Sequence, residues 1–371
     1  MLLTAELGSP PNADVAALAT RLRQESAHEP AANATAGAQE PMRPIEHGTN
    51  DAEAYELYLQ ARHHWKLRTR EGFQSARKYY EAAADRDPGF ARAWAGLAAV
   101  YVNLSNFGYM NPGEGVALAE RSAERAIELD STLAEAHAAR GFVRMSRLEF
   151  EQSEEAFRRA VTLNPDYSFG HHYYTLLLLM LGRTSEALEK NREALRADPL
   201  SRAANATTGI VLCQRGDFDG AARELERALA LAPEFPLTLC YLGVVRVAQR
   251  AWDEALALLE RCAQLAPGFT GAPGARTYLY GRAGRHAEAE SILDRLRADA
   301  HDERARANLA LALGVLGSLD EAFALMDGLR WDVPSLISLR ADPLLRGLRA
   351  DRRYKRLLHS IGADAAPAKA R

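Results

Sequence analysis

Residues Ser201 to Pro233 read SRAANATTGIVLCQRGDFDGAARELERALALAP. Small and apolar residues recur at helical spacing from Asn205 to Arg215 and stop at Gly216-Asp217, where a glycine just past the last periodic residue ends a helix. Phe218 to Ala232 is a second helical run, with Ala221, Leu225, Ala228 and Leu229 on one face, and Pro233 closes it. The alanines are short because two helices cross closely only where side chains are small, and Leu225 fills the space beside them. A single hairpin of this size cannot bury both of its apolar faces, so it needs a neighbour on each side.

The neighbours are legible in the same terms. Pro165, Pro199, Pro233 and Pro267 stand 34 residues apart, and two further ladders keep the same step: Ala160, Ala194, Ala228, Cys262 and Ser153, Ala187, Ala221, Ala255. His171 to Pro199 and Leu239 to Pro267 repeat the two-helix pattern. A period of this length with small residues at fixed offsets predicts a solenoid of helical hairpins.

These residues resemble the tetratricopeptide repeat (TPR) family. Its W-x2-L-G-x2-Y signature reads Trp94, Leu97, Ala98, Tyr101, and more loosely Thr208-Gly209 and Leu242-Gly243. Its closing pattern reads Ser153, Phe157, Ala160, Pro165. The resemblance covers Ala52 to Leu329. It implies an all-α, right-handed α-solenoid of about seven to eight TPR helical hairpins with a C-terminal helical cap.

Outside the ladders the chain changes character. Met1 to Ser26 reads as a short helical leader, and LLTAELGSPPNADVAALATRLR within it is similar to the closing segment of the bacterial transcriptional activator domain. The alternative is a disordered amphipathic leader. If the resemblance holds, the earlier part of that domain belongs to a longer chain. Ala27 to Asp51 is rich in Ala, Pro, Asn and Gly and reads as a flexible linker. The first hairpin is expected at Ala54 to Leu67 and Gly72 to Asp87. The second repeat is too long, and the excess, VNLSNFGYMNPGEG at Val102 to Gly115, reads as an extended first helix followed by an ordered loop. Such a loop either overhangs a binding face or fills space between hairpins. Pro273-Gly274 shortens a later first helix. Arg330 to Gly362 breaks the pattern into short helices suited to a cap, and Ala363 to Arg371 reads as a disordered tail. AYELYLQARHHW and ADPLLRGLRADRRYKRLLHSIG resemble the opening and closing of TPR regions attached to bacterial winged-helix or TolB-like regulators.

Composition narrows function more by exclusion. The net charge of −3 with 26% charged residues implies no polyelectrolyte partner. Three cysteines without CxxC spacing argue for a reducing compartment and against zinc. No basic start with a sustained apolar run opens the chain, and Leu176 to Leu181 is far too short to span a bilayer. A cytoplasmic location follows. His63-His64 and His171-His172 cannot chelate one ion, because adjacent helical residues point about 100° apart. No phosphate-binding, dinucleotide or nucleophile-elbow motif occurs. The basic run Arg349 to Arg356 is interrupted by Asp351 and reads as a solvated cap face. No catalytic residue, metal or cofactor is predicted.

What remains is the concave face, which the resemblance assigns to the first helix of each repeat. The residues expected there are Tyr58, Trp65, Arg68, Arg92, Phe142, Met145, Phe169, His172 and Leu176, with Tyr109 of the insertion at the rim. TPR domains that grip acidic C-terminal peptides use basic side chains here, and only Arg68 and Arg92 resemble them. The strip is apolar. It either receives a helix or apolar peptide, or lies in a superhelix so tight that it is simply more core. His172 within it would make binding sensitive to pH in the histidine range. The resemblance thus implies a non-catalytic protein-protein interaction scaffold binding a protein or peptide in the concave groove, with no direct nucleic-acid or membrane contact. Two settings fit: the sensory or regulatory arm of a bacterial transcriptional regulator, or a free-standing adaptor in a multiprotein assembly. The oligomeric state is not legible.

Overall fold

The computed structural model describes residues 48–266 and 269–364. The leader, most of the linker, Pro267 and the last seven residues lie outside them. Among the described residues the chain is all-α, a solenoid of eight hairpins and a terminal cluster of short helices. The first hairpin pairs α1 (Ala52–Lys66) with α2 (Arg70–Arg86), and the second pairs α3 (Ala91–Asn106) with α4 (Pro112–Leu129). Then come α5 (Ala134–Ser146) with α6 (Phe150–Leu163), and α7 (Ser168–Met180) with α8 (Thr184–Ala197). The fifth and sixth are α9 (Arg202–Arg215) with α10 (Phe218–Leu231), and α11 (Pro236–Ala248) with α12 (Trp252–Leu265). The last two are α13 (Ala272–Arg282) with α14 (His286–Ala298), and α15 (Glu303–Leu316) with α16 (Leu319–Met326).

Each hairpin closes where the small residues sit. A Cβ on Gly209 would lie 2.3 Å from Leu225 Cγ, and one on Gly243 would lie 2.7 Å from Leu259 Cγ. Ala187 and Ala221 are fully buried. Between the two helices Gly216 supplies the left-handed turn at φ 80°, a conformation open to glycine at little steric cost.

Two polar devices join neighbouring repeats. A side chain six residues after each connecting carbonyl bonds back to it: Trp94 to Pro88, His137 to Ser131, His171 to Pro165 and Asn205 to Pro199, all at 2.8–3.1 Å. A tyrosine on a first helix also donates to a glutamate on the preceding second helix, always twenty residues back: Tyr101 to Glu81, Tyr174 to Glu154, Tyr280 to Glu260. Arg183 reinforces the middle pair, donating to Glu154 at 2.7 Å. That arginine and the Tyr174 hydroxyl more than offset burial and hold the Glu154 carboxyl below its ordinary range.

Three expectations need correction. The insertion is mostly helix: α3 runs to Asn106, and Asn111 caps α4 with Pro112 at its first position, so Asn-Pro-Gly is a helix start rather than a loop. The linker ends earlier than Asp51. Thr49 is buried and bonds Asp87, while Asp51 caps α1 and pairs with Arg86 at 2.8 Å. Ala363 is buried rather than part of a loose tail, because its carbonyl accepts from Arg340.

The terminal cluster contains α17 (Val333–Ala341), a 3₁₀ turn at Pro343–Leu345, α18 (Arg346–Ala350) and α19 (Arg352–Ser360). It does more than cover the last repeat. Helix α17 packs on α7 and α9 as well as α15, and the 3₁₀ turn packs on α11 and α15. Leu336, Leu339 and Ser335 are fully buried, so α17 is enclosed on nearly all sides. The chain therefore lays its own helix into the concave face of its middle repeats.

One group in this cluster makes the packing depend on pH. Asp342 is buried, and burial raises its carboxyl to about 6, although the Leu344 N–H at 2.8 Å and the nearby Arg349 charge work the other way. Cys213 of α9 and Tyr241 of α11 face the same carboxyl. The folded value lies above the unfolded one. Its stabilising contribution is thus complete below about pH 4 and lost as pH rises through about 6. At neutral pH the buried charge costs up to about 3 kcal/mol. Asp342→Asn keeps the acceptor for Leu344 without the charge. Its melting temperature relative to wild type should climb between pH 4.5 and pH 7.5. A difference that stays constant across that range would show that the carboxyl does not titrate there.

Candidate functional site

The concave face is not an open groove. The first repeat meets the fourth and fifth across it: the Trp65 and Phe169 rings lie 4.1 Å apart between centroids, Lys66 pairs with Asp198 at 3.6 Å, and Arg202 donates to the Leu67 carbonyl. The eighth repeat reaches back to the second. Arg304 on α15 donates to the carbonyls of Ser105 and Asn106, at 2.9 and 2.5 Å, and pairs with Asp332 at 2.9 Å. With α17 laid over α7 and α9, these contacts leave a cavity of about 750 Å³. Its walls come from the ends of α1 and α3, the faces of α5, α7, α9 and α11, the connection after α12, and the first turns of α15 and α17.

The sequence-predicted residues divide at this cavity. Arg68, Tyr109, Phe142, His172 and Leu176 line it. The other five do not. Trp65 and Phe169 are spent on each other. Tyr58 is buried against Phe90 at 5.1 Å, Met145 is 0% exposed, and Arg92 faces Glu135 at 3.9 Å. Even Phe142 is 2% exposed, stacked on Tyr173 with centroids 4.1 Å apart. The expected apolar strip is therefore largely core, because the superhelix is tight enough for its own repeats to touch across the concave side.

One end of the cavity is polar. Arg68 follows the end of α1 in a left-handed conformation, φ 58°, which costs a non-glycine residue about 1–3 kcal/mol. Its guanidinium donates to Asn103 Oδ1 at 3.0 Å and lies 5.1 Å from the Trp65 ring. Asn103 Nδ2 in turn donates to the Tyr173 hydroxyl at 3.2 Å. His172 stands beside them, and burial together with the Arg68 charge drives its imidazole down to about 3. It stays neutral through the histidine range, so the expected pH sensitivity has no basis in this residue. The adjacent His171 points elsewhere, to the Pro165 carbonyl. At the mouth, Arg70 lies 4.7 Å over the Tyr109 ring, and Tyr109 stacks on Phe107 at 6.0 Å.

Sequence reasoning missed Asn103, Tyr173 and Arg304. Asn103 carried a signal, a polar residue on the apolar side of an over-long helix. Arg304 carried none, since its partners lie about two hundred positions away. Among the described residues no group of three or more His, Cys, Asp or Glu could hold a metal ion, and no helix is long and apolar enough to cross a membrane.

Comparison with known proteins agrees with the architecture. Models of the tetratricopeptide repeat match residues 58–108, 138–202, 207–268 and, for a second such model, 246–314. Transcriptional regulator HilA of Salmonella typhimurium is 25% identical over 174 residues, and HilA of Salmonella typhi matches equally. The match takes in 47% of this chain and 32% of those proteins, so it spans about a third of their length. Among solved structures, the APC/C hetero-tetramer Cut9–Hcn1 is similar with a TM-score of 0.59 at 16% identity, over 84% of this chain and 57% of that one. That likeness is one of fold.

Proposed function

Because the chain belongs to the tetratricopeptide repeat family, we propose that its interaction scaffold serves as the regulatory arm of a bacterial transcriptional regulator, with no catalysis and no direct nucleic-acid contact of its own. The 174-residue match to HilA carries the regulatory part of this reading. The resemblance of AYELYLQARHHW and of the closing helices to regulator-attached repeats supports it. A partner segment that enters the concave face must displace α17, which makes the cap a competitor for the same surface. Chromatin immunoprecipitation of the natural full-length protein, tagged in its own host, tests the regulatory role. Enrichment at discrete promoters is expected. A flat background would leave a free-standing adaptor and remove the regulator.

A further inference from the structure

The cavity holds a charge that nothing near it balances. Arg68 is 8% exposed, and its side chain is a cation. Among the described residues it makes no ion pair; its hydrogen bond goes to the neutral Asn103 amide, and the faces beside it are the Trp65 and Phe73 rings. A buried cation without a counter-ion is costly. The left-handed backbone at Arg68 is the turn of its hairpin, which Leu148, Gly182 and Arg250 adopt in other repeats, and it aims the side chain into the cavity wall. The neighbouring His172 is 3% exposed, and its Nδ1 is buried without a hydrogen-bond partner. Thr270, also in the lining, has a buried hydroxyl that is likewise unpartnered.

Most of the surface that the lining exposes is apolar. Leu176, Ile210, Phe235 and Ile337 contribute to it, and the volume of about 750 Å³ lies within the range of small-molecule sites, roughly 300–1,000 Å³. The cavity's acids, Glu71 and Glu234, are exposed, and Glu234 pairs with Arg261. The half-buried Arg304 is already taken by Asp332 and two carbonyls. One free guanidinium in an apolar chamber fits one anionic head on an apolar body.

We propose that this cavity binds an amphiphilic organic monocarboxylate, with Arg68 as counter-ion to the carboxylate and the chamber between α5, α7, α9 and α17 holding the alkyl or aryl body. The planar fork of arginine matches a carboxylate with two parallel hydrogen bonds. Asn103 and Tyr173 hold that fork in place from behind. Helix α17 supplies part of the chamber wall, so the ligand also seals the cap onto the repeats. The site stands apart from the regulatory reading and would exist equally in an adaptor.

The test uses the purified full chain and a panel of probes below their micelle concentrations: decanoate, 3-phenylpropionate, 1-decanol and decyl phosphate. Calorimetric titration should show decanoate binding at least tenfold more tightly than 1-decanol, with saturation at one per chain. Arg68→Met should weaken decanoate at least tenfold and leave decanol unchanged. This variant should fold, since it removes an unbalanced buried charge. Leu176→Trp, which fills the chamber and keeps Arg68, should weaken decanoate and 3-phenylpropionate alike. Equal affinity for decanol and decanoate, undiminished decanoate binding by Arg68→Met, or binding by none of the probes would each overturn the proposal. Decyl phosphate binding more tightly than decanoate would overturn the carboxylate assignment.

Discussion

Replacing Leu336 and Leu339 with alanine is expected to unseat the cap and to be among the most destabilising double changes in the chain. Both side chains are 0% exposed within α17, on a helix enclosed by α7, α9 and α15. Truncating a buried leucine costs about 2–5 kcal/mol, and two such losses on one short helix compare with the whole stability of many domains. The helix has nine residues and no capacity to persist alone, since isolated helices below about 12–15 residues are marginal in water. Its loss would uncover the parts of α7, α9 and α15 on which it packs. Urea denaturation should show a large drop in midpoint, and a dye that reports exposed apolar surface should brighten before the main transition. A variant with wild-type stability and no new dye binding would show that α17 rests on the repeats without being held by them.

Phe142→Ala is the second large effect, with an expected loss of about 3–5 kcal/mol. Phe142 stacks on Tyr173, and Tyr173 in turn receives the Asn103 amide that steadies Arg68. Leu176→Ala, one turn beyond the same tyrosine but only half buried at the cavity wall, should cost far less. The contrast separates core from lining within a single strip that the sequence presents as uniform. Thermal melts of the two variants provide the check. Equal shifts would mean that Phe142 borders open space, as a partner-binding groove requires.

The contrast also explains what was legible beforehand. The hairpin register was readable because helix crossing is a local event: Gly209 faces Leu225, and Gly243 faces Leu259, within one repeat. Proline positions and small-residue ladders report such short-range geometry directly. Half of the residues expected on the concave face are instead packed against other parts of the chain. Trp65 and Phe169 are separated by more than a hundred positions, and no periodicity within a repeat encodes how far the superhelix curls. The curl is a sum of small rotations at each interface, set by details such as the over-long α3 and α4.

From sequence alone this chain is a solenoid of two-helix repeats with short helices at its end, because a 34-residue period and the size of its side chains admit no other packing. Tertiary structure alone decided that the solenoid closes on itself, with Arg304 bonded to the end of α3 and α17 laid into the repeats. It also decided that Arg68, which the sequence offered only as a basic residue of the concave face, sits buried without an ion pair beside an unpartnered histidine. Burial and charge pairing are properties of residues far apart in the chain, and they exist only once the repeats have curled.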